Sequence, residues 1–420
     1  MNIYQKNLAE GVSLSAFKTD KFKSALMTVS FVLPLEEETA SGYSLLTNLL
    51  SLSTGDYPTM QSFSIAKDEL YALGLDAYVQ RRGELLLVTL EINCIADSFA
   101  FDGDRVLFEA TKLLGGAIFR PHLENGVFPE STVESEKKCL VEEIASAIEN
   151  KPSYSLRRAK QILCQGEPFA VDVGGEIDRV KALDGKQLMD YYHNVVNNAP
   201  VFIVYSGEAE EEYLEECINA NLPFKPRKAS LPKPTVHKAR TKVVKVKEEM
   251  KIEQTILNLG FSLEMPWGAE KRAVLSVYDE IFGGSATSKL FMNVREKEGL
   301  CYYCSSYPSG RKNVLFVSCG LEKGAYKKAI KAIYREVEAM KKGDFTELEL
   351  KNAKQSILRS MANVSGSLGS LNGYMLGQVL LDDGVSFEEN LALVEKVSKE
   401  EVVALAKTVT PELEYILGEV

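Results

Sequence analysis

The chain has 420 residues, 45% of them hydrophobic and 26% charged, with a net charge of −10; these are ordinary values for a globular protein, and two or three domains fit the length. The acidic balance argues against nucleic acid or an anionic membrane as a partner, because either polyanion would repel it. No run approaches ~18 uninterrupted apolar residues, which excludes a spanning helix, and seven cysteines, an odd number in a long chain, suit reduced thiols in a cytoplasm better than a disulfide framework.

In chain order, the opening residues 1–7 lack a basic segment followed by an apolar run, so no secretory signal is expected. The alternating run 26–33 predicts a strand, and residues 40–52 an amphipathic helix. Residues 85–92 predict a second strand, Phe128-Pro129-Glu130 opens a long helix, and 202–208 forms a last strand ending in Gly-Glu. Residues 223–239 then carry four prolines and five basic residues without apolar periodicity; proline removes backbone donors and favours extended chain, so an exposed linker is expected there.

The order repeats beyond it. A strand at 255–261 precedes a helix from about 268 to 282, a strand follows at 314–319, Phe345-Thr346-Glu347 opens another long helix, and the last strand again ends in Gly-Glu. In the helix predicted over 326–340, Tyr326, Ala329, Ile330, Ile333, Val337 and Met340 share one face, and Lys327, Lys331, Arg335 and Glu338 the other. The pattern predicts a duplicated α+β fold: residues 1–222 and 240–420 as homologous domains, each an antiparallel-rich sheet with one face covered by helices.

Chemistry concentrates in Gly283-Gly284-Ser285-Ala286-Thr287-Ser288-Lys289-Leu290-Phe291 and the Val294-Arg295-Glu296-Lys297-Glu298-Gly299-Leu300-Cys301-Tyr302 that follows. A glycine-rich turn opens a short helix, which ends at Gly299 and passes into a strand. Without the Lys-Ser/Thr of a phosphate loop or a preceding buried strand, nucleotide binding is not indicated. Arg offers a permanent charge on a rigid donor fork and Tyr a rotatable phenolic donor; the spacing alone favours the plainer reading, in which Arg295 pairs with a local glutamate and Tyr302 packs. Cys301 and Cys304 form a C-x-x-C on that strand, where alternation would send the two sulfurs to opposite faces and defeat metal or dithiol chemistry. Residues 366–373 read as either a flexible glycine-rich turn or a packed helix kink.

The phrases Gly-Gly-Ser-x-x-Ser-x-Leu-Phe and Val-Arg-Glu-Lys-x-Gly-Leu-x-Tyr resemble the second-half signature of the M16 zinc metallopeptidases, the family of insulinase and the mitochondrial processing peptidase. The duplicated halves and the linker fit that family too. The resemblance implies that Arg295 and Tyr302 position a scissile peptide and steady its oxyanion. In the first half the family's zinc-binding His-x-x-Glu-His is missing: Leu45, Asn48 and Leu49 stand in its register, leaving Glu143 as a relic of the third ligand and Glu136 as a second acid on the same helix face. Ser360 falls near the equivalent place in the second half. Only three histidines occur, His122, His193 and His237, with no i, i+4 pair among them. The resemblance therefore implies no metal in this chain. It implies a non-catalytic subunit of a heterodimeric peptidase, inactive alone, with Arg295 and Tyr302 acting in trans on a peptide and zinc carried by a homologous His-x-x-Glu-His partner. The alternative is a catalytically inert peptide-binding or scaffold homodimer of the same fold.

Overall fold

In the computed structural model, which describes residues 2–265, 267–381 and 383–419, the chain builds two sheets by the same rule. The first is made of β1 (Tyr4–Ala9), β2 (Val12–Lys18), β3 (Ser24–Pro34), β4 (Gly74–Arg82), β5 (Leu85–Ile95) and β6 (Val201–Gly207), in the order β1-β2-β6-β3-β5-β4. The second contains β7 (Val244–Glu248), β8 (Thr255–Ser262), β9 (Cys301–Ser309), β10 (Val314–Leu321) and β11 (Thr410–Leu417), in the order β7-β11-β8-β10-β9. In each half the last strand pairs with the first long one, that with the third, and the third with the second, all antiparallel. A parallel strand flanks the last one in both: β2 beside β6 and β7 beside β11. The shared topology is the duplication expected from the sequence.

Each sheet is buried on both faces, not on one as expected. Every residue of β8 is buried, and so are nine consecutive residues of β3. One face of the first sheet, with Val29, Phe31, Leu86 and Val88, packs on Leu45, Leu46 and Leu49 of the helix Glu37–Leu50. Its other face, with Val32, Leu85, Leu87 and Val204, is covered by Leu371, Met375, Leu376 and Leu380 of the helix Leu368–Leu381. The second sheet packs Leu259, Phe261 and Val317 against Val277, Ile333 and Val337. Its reverse, with Ile256, Phe316, Leu413 and Tyr415, is covered by Ala159 and Leu163 of the helix Lys151–Leu163. The sequence carries the reason: a continuous apolar run such as 85–88 has no polar face to show to water.

The chain accordingly groups into two compact units that do not follow its halves. One comprises Met1–Ala145, Val171–Lys233 and Val364–Asp382; the other comprises Ser146–Ala170, Pro234–Asn363 and Asp383–Val420. Each unit thus takes its second covering helix from the other half of the sequence. The glycine-rich stretch falls in one of these, as a 3-10 turn over Asn363–Gly366 running into Leu368–Leu381. There the buried Asn372 accepts a 2.6 Å hydrogen bond from Ser206 Oγ and donates to the carbonyls of Leu26 and Val204.

Residues 223–239 have no regular structure and are mostly exposed, yet two of their side chains are buried, Arg227 and His237. Arg227 donates to the carbonyls of Val196 (2.8 Å) and Ala199 (3.4 Å) within the first unit. His237 is held within the second.

Candidate functional site

The helix Glu37–Leu50 carries Leu45, Asn48 and Leu49, the residues expected in the register of the zinc motif. It begins with two acids, Glu37 and Glu38, which suit the positive end of the helix dipole. Gly42 lets the Tyr191 ring lie where a Cβ would come within 2.2 Å of it, and Asn194 donates to the Tyr43 hydroxyl at 2.7 Å. Leu45 and Leu49 point into the core with 0% and 3% exposure. Asn48 is half-buried and hydrogen-bonds Glu136, whose carboxyl burial pushes above the ordinary carboxylate range while the Asn48 contact opposes the rise. Glu143, further along the same helix Glu130–Ser146, is exposed. Leucines cannot ligate a metal, and an amide and two acids without histidine do not make the N/S-rich set zinc takes. These residues do not fit a zinc site.

Arg295 lies in the wide helical segment Leu290–Lys297, which packs on β9. Its guanidinium is 4.5 Å from the centroid of the Phe291 ring, and its nearest carboxylate is Glu296 at 3.6 Å, a long and exposed pairing that leaves donors free for another acceptor. Gly299 closes the segment with φ +62°, a left-handed turn that glycine adopts without strain.

Tyr302 follows on β9, and its orientation comes from a β-bulge. Against β10, Tyr303 pairs with Gly320 but Cys301 pairs with Leu321, so Tyr302 is the extra residue of the ladder. The bulge leaves Tyr302 53% exposed, its hydroxyl without a hydrogen-bonding partner among the described residues. Simple alternation would have put this ring in the core beside Cys304. Gly320 is needed opposite, since a Cβ there would come within 2.4 Å of the Tyr303 ring.

The same bulge overturns the expectation for the C-x-x-C. Cys301, opposite Leu321, and Cys304, opposite Cys319, fall on one face, and the three sulfurs lie within 4.8 Å of one another. Hydrogen bonds from Cys304 and Cys319, with the charge of Arg295, pull the Cys301 thiol down to about 4 against the cost of burial. That thiolate, with burial, pushes Cys304 up, and burial first and then the thiolate push Cys319 up.

A cleft of about 740 Å³ opens in the second unit, lined among others by Trp267, Arg272, Asp279, Ser285, Ser356 and Ser360. Arg272 is ion-paired with Asp383 and lies 5.7 Å from the Trp267 ring centroid. Asp279 accepts a hydrogen bond from Ser306 Oγ, yet burial, aided by the charge of Glu280, raises it to about 7. Ser360, read from the sequence only as standing near the second-half equivalent of Glu143, lines this cleft; Asp279 was missed, and the available signal was an acid directly after the apolar Val277-Tyr278 of a covering helix.

His237 was expected in an exposed linker. Its ring is 2% exposed and clamped between carboxylates, Nδ1 to Glu167 at 2.8 Å and Nε2 to Glu412 at 2.9 Å, with Lys312 on the far oxygen of Glu167. Contacts with Cys164, Glu412 and Glu167 outweigh burial and raise the imidazole to about 10. Cys164, Glu167 and His237 come close enough to hold an ion, but both ring nitrogens and Glu167 are already engaged, so the cluster reads as an ionic clasp. His122 sits 3.7 Å from Glu124, and His193 beside the Tyr192 ring.

Residues 182–357 match the family model described as the peptidase M16 inactive domain. A probable inactive metalloprotease of Bacillus subtilis, YmfF, is 26% identical over 407 residues, covering 97% of this chain and 96% of that one. Among solved structures, a conserved protein from Enterococcus faecalis V583 superposes with a TM-score of 0.90 at 27% identity, over 100% of this chain and 99% of that one. The peptidase M16 inactive domain from Pseudomonas fluorescens gives 0.80 at 17% identity, over 100% and 99%, a likeness of fold.

Proposed function

Starting from a chain that is an M16-like homologue of the inactive kind, we propose that it is the non-catalytic member of a two-subunit peptidase and presents Arg295 and Tyr302 to a peptide in trans. The observation that carries this reading is the bulge at Tyr302, which exposes a phenol with no hydrogen-bonding partner among the described residues. Bulges are found where a strand must re-aim a side chain, and an exposed phenol on β9, the strand packed by the segment that carries Arg295, suits an acceptor supplied from outside. A peptide carbonyl is such an acceptor, and donors placed where its charge develops are worth most in a site that excludes water. The partner, a homologue with His-x-x-Glu-His, would bring zinc and its bound water. This chain's part is to bind, orient and hydrogen-bond the peptide.

The test is reconstitution with such a partner and a peptide substrate. Arg295→Ala is expected to lower turnover by roughly a hundred- to thousandfold while leaving assembly, read by gel filtration, unchanged. Tyr302→Phe, which keeps the ring and removes only the hydroxyl, is expected to act in the same direction. Turnover unaffected by both would move the chain to an inert peptide-binding or scaffold role.

A further inference from the structure

Three of the seven cysteines converge in the second unit, and the function proposed above makes no use of them. Cys304 and Cys319 are directly opposed across the β9–β10 ladder, with sulfurs 2.7 Å apart, and are 2% and 0% exposed. Cys301 joins them from the other side of the bulge and is half-buried, so the cluster has one side nearer to solvent. All three are free thiols. Their sulfur atoms are mutually within 4.8 Å; with metal–sulfur bonds of about 2.3 Å a trigonal site sets sulfurs about 4 Å apart, so Cys304 and Cys319 spread by about an ångström as an ion enters. Such convergence is not forced by packing: an unbulged strand would have turned Cys301 away.

A donor set of sulfur alone selects soft cations, copper(I) and zinc above magnesium, calcium or manganese. Arg295, whose charge reaches Cys301, offsets part of the negative charge that three thiolates and one cation would leave in a mostly apolar surrounding. The geometry points to a new site: we propose that Cys301, Cys304 and Cys319 together bind one soft d10 cation as a trigonal thiolate site. Copper(I) is satisfied by three sulfurs. Zinc takes four ligands, the fourth coming from solvent on the Cys301 side. Ligating thiols give up their protons to solvent as the ion enters.

The experiment titrates the full-length, fully reduced chain without oxygen. One arm offers copper(I) in competition with a chromogenic copper(I) chelator, and the other offers cobalt(II) as the optical probe for zinc. The expected result is one equivalent of copper drawn from the chelator, or one equivalent of cobalt with sulfur-to-metal charge-transfer absorption. The first identifies copper as the occupant and the second zinc. Cys304→Ser and Cys319→Ser should each weaken uptake by more than about tenfold. Cys301→Ser should do the same, and its half-buried position makes it the variant least able to disturb folding, which circular dichroism checks. No uptake of either ion by the reduced wild-type chain overturns the proposal, and so does uptake that all three variants retain. A Cys304–Cys319 disulfide that survives mild reductant, seen as the loss of two hydrogens in the intact mass, overturns it as well.

Discussion

At the scale of single residues, the clearest consequence concerns His237. Its imidazole titrates at about 10 in the folded chain against ~6.5 when unfolded, so folding favours the charged form. That contribution is complete below about pH 6.5 and is lost as the pH climbs through about 10. Replacing His237 by Gln would leave the fully buried Glu412 carboxylate without its cation, a loss on the order of 3–5 kcal/mol for a broken buried pair. Urea midpoints of wild type and His237→Gln should therefore lie far apart at pH 6 and close together by pH 10. Asp279 has the opposite sign. Its raised value, about 7, means that folding favours the neutral acid, so its ionisation penalises the native state progressively above pH ~4 and fully above pH 7. Asp279→Asn cannot ionise and should melt above wild type at pH 8, with the advantage disappearing at pH 4.

At the scale of elements, the two covering helices and the bulge set what each sheet can do. Leu371 has no exposed surface and caps the face formed by Leu85 and Leu87. Leu371→Ala should cost about 2–5 kcal/mol by denaturant unfolding, and Leu163→Ala, its counterpart on the second sheet, should cost a similar amount. A midpoint shift within error for either would mean that the covering helix is dispensable. This is also the scale that shows what the sequence made legible. Period-two and period-3.6 patterns located the long strands and the helices that cover one face of each sheet, because those patterns record burial along a single element; the two helices covering the second faces, Lys151–Leu163 and Leu368–Leu381, were not read from the sequence. The phrase Phe345-Thr346-Glu347 also marked a helix start, which the structure closes with a capping box between Thr346 and Glu349. The bulge escaped because one extra residue in a ladder is set by pairing with β10, which no window on β9 contains. The ring of His237 escaped for the same reason: a polar residue among prolines reads as solvated unless its distant partners, Glu167 and Glu412, are known. At the candidate site, the loss of the zinc motif and the positions of Arg295 and Tyr302 were readable, whereas the exposure of Tyr302 and the meeting of the three sulfurs depended on register.

For the molecule as a whole, the exchange of covering helices contradicts the simple picture of two halves joined by a linker. A chain cut at 230 would give pieces each carrying one sheet but lacking the helix that covers its second face, since Val364–Asp382 belongs with the first unit and Ser146–Ala170 with the second. The separate pieces 1–230 and 231–420 should be poorly soluble and bind a hydrophobic dye. Co-expressed, they should copurify and regain native circular dichroism. Pieces that fold independently would show the exchanged helices to be decoration.

The same exchange sets a timetable during synthesis. The first sheet's strands are complete once residue 207 has left the ribosome, yet the helix covering Val32, Leu85, Leu87 and Val204 begins only at Leu368. At the usual ~5–20 residues per second, that apolar face waits roughly ten seconds or more for its cover. A nascent chain of this protein therefore offers a chaperone a defined client surface, present once β6 has emerged and withdrawn only when Leu368–Leu381 follows it.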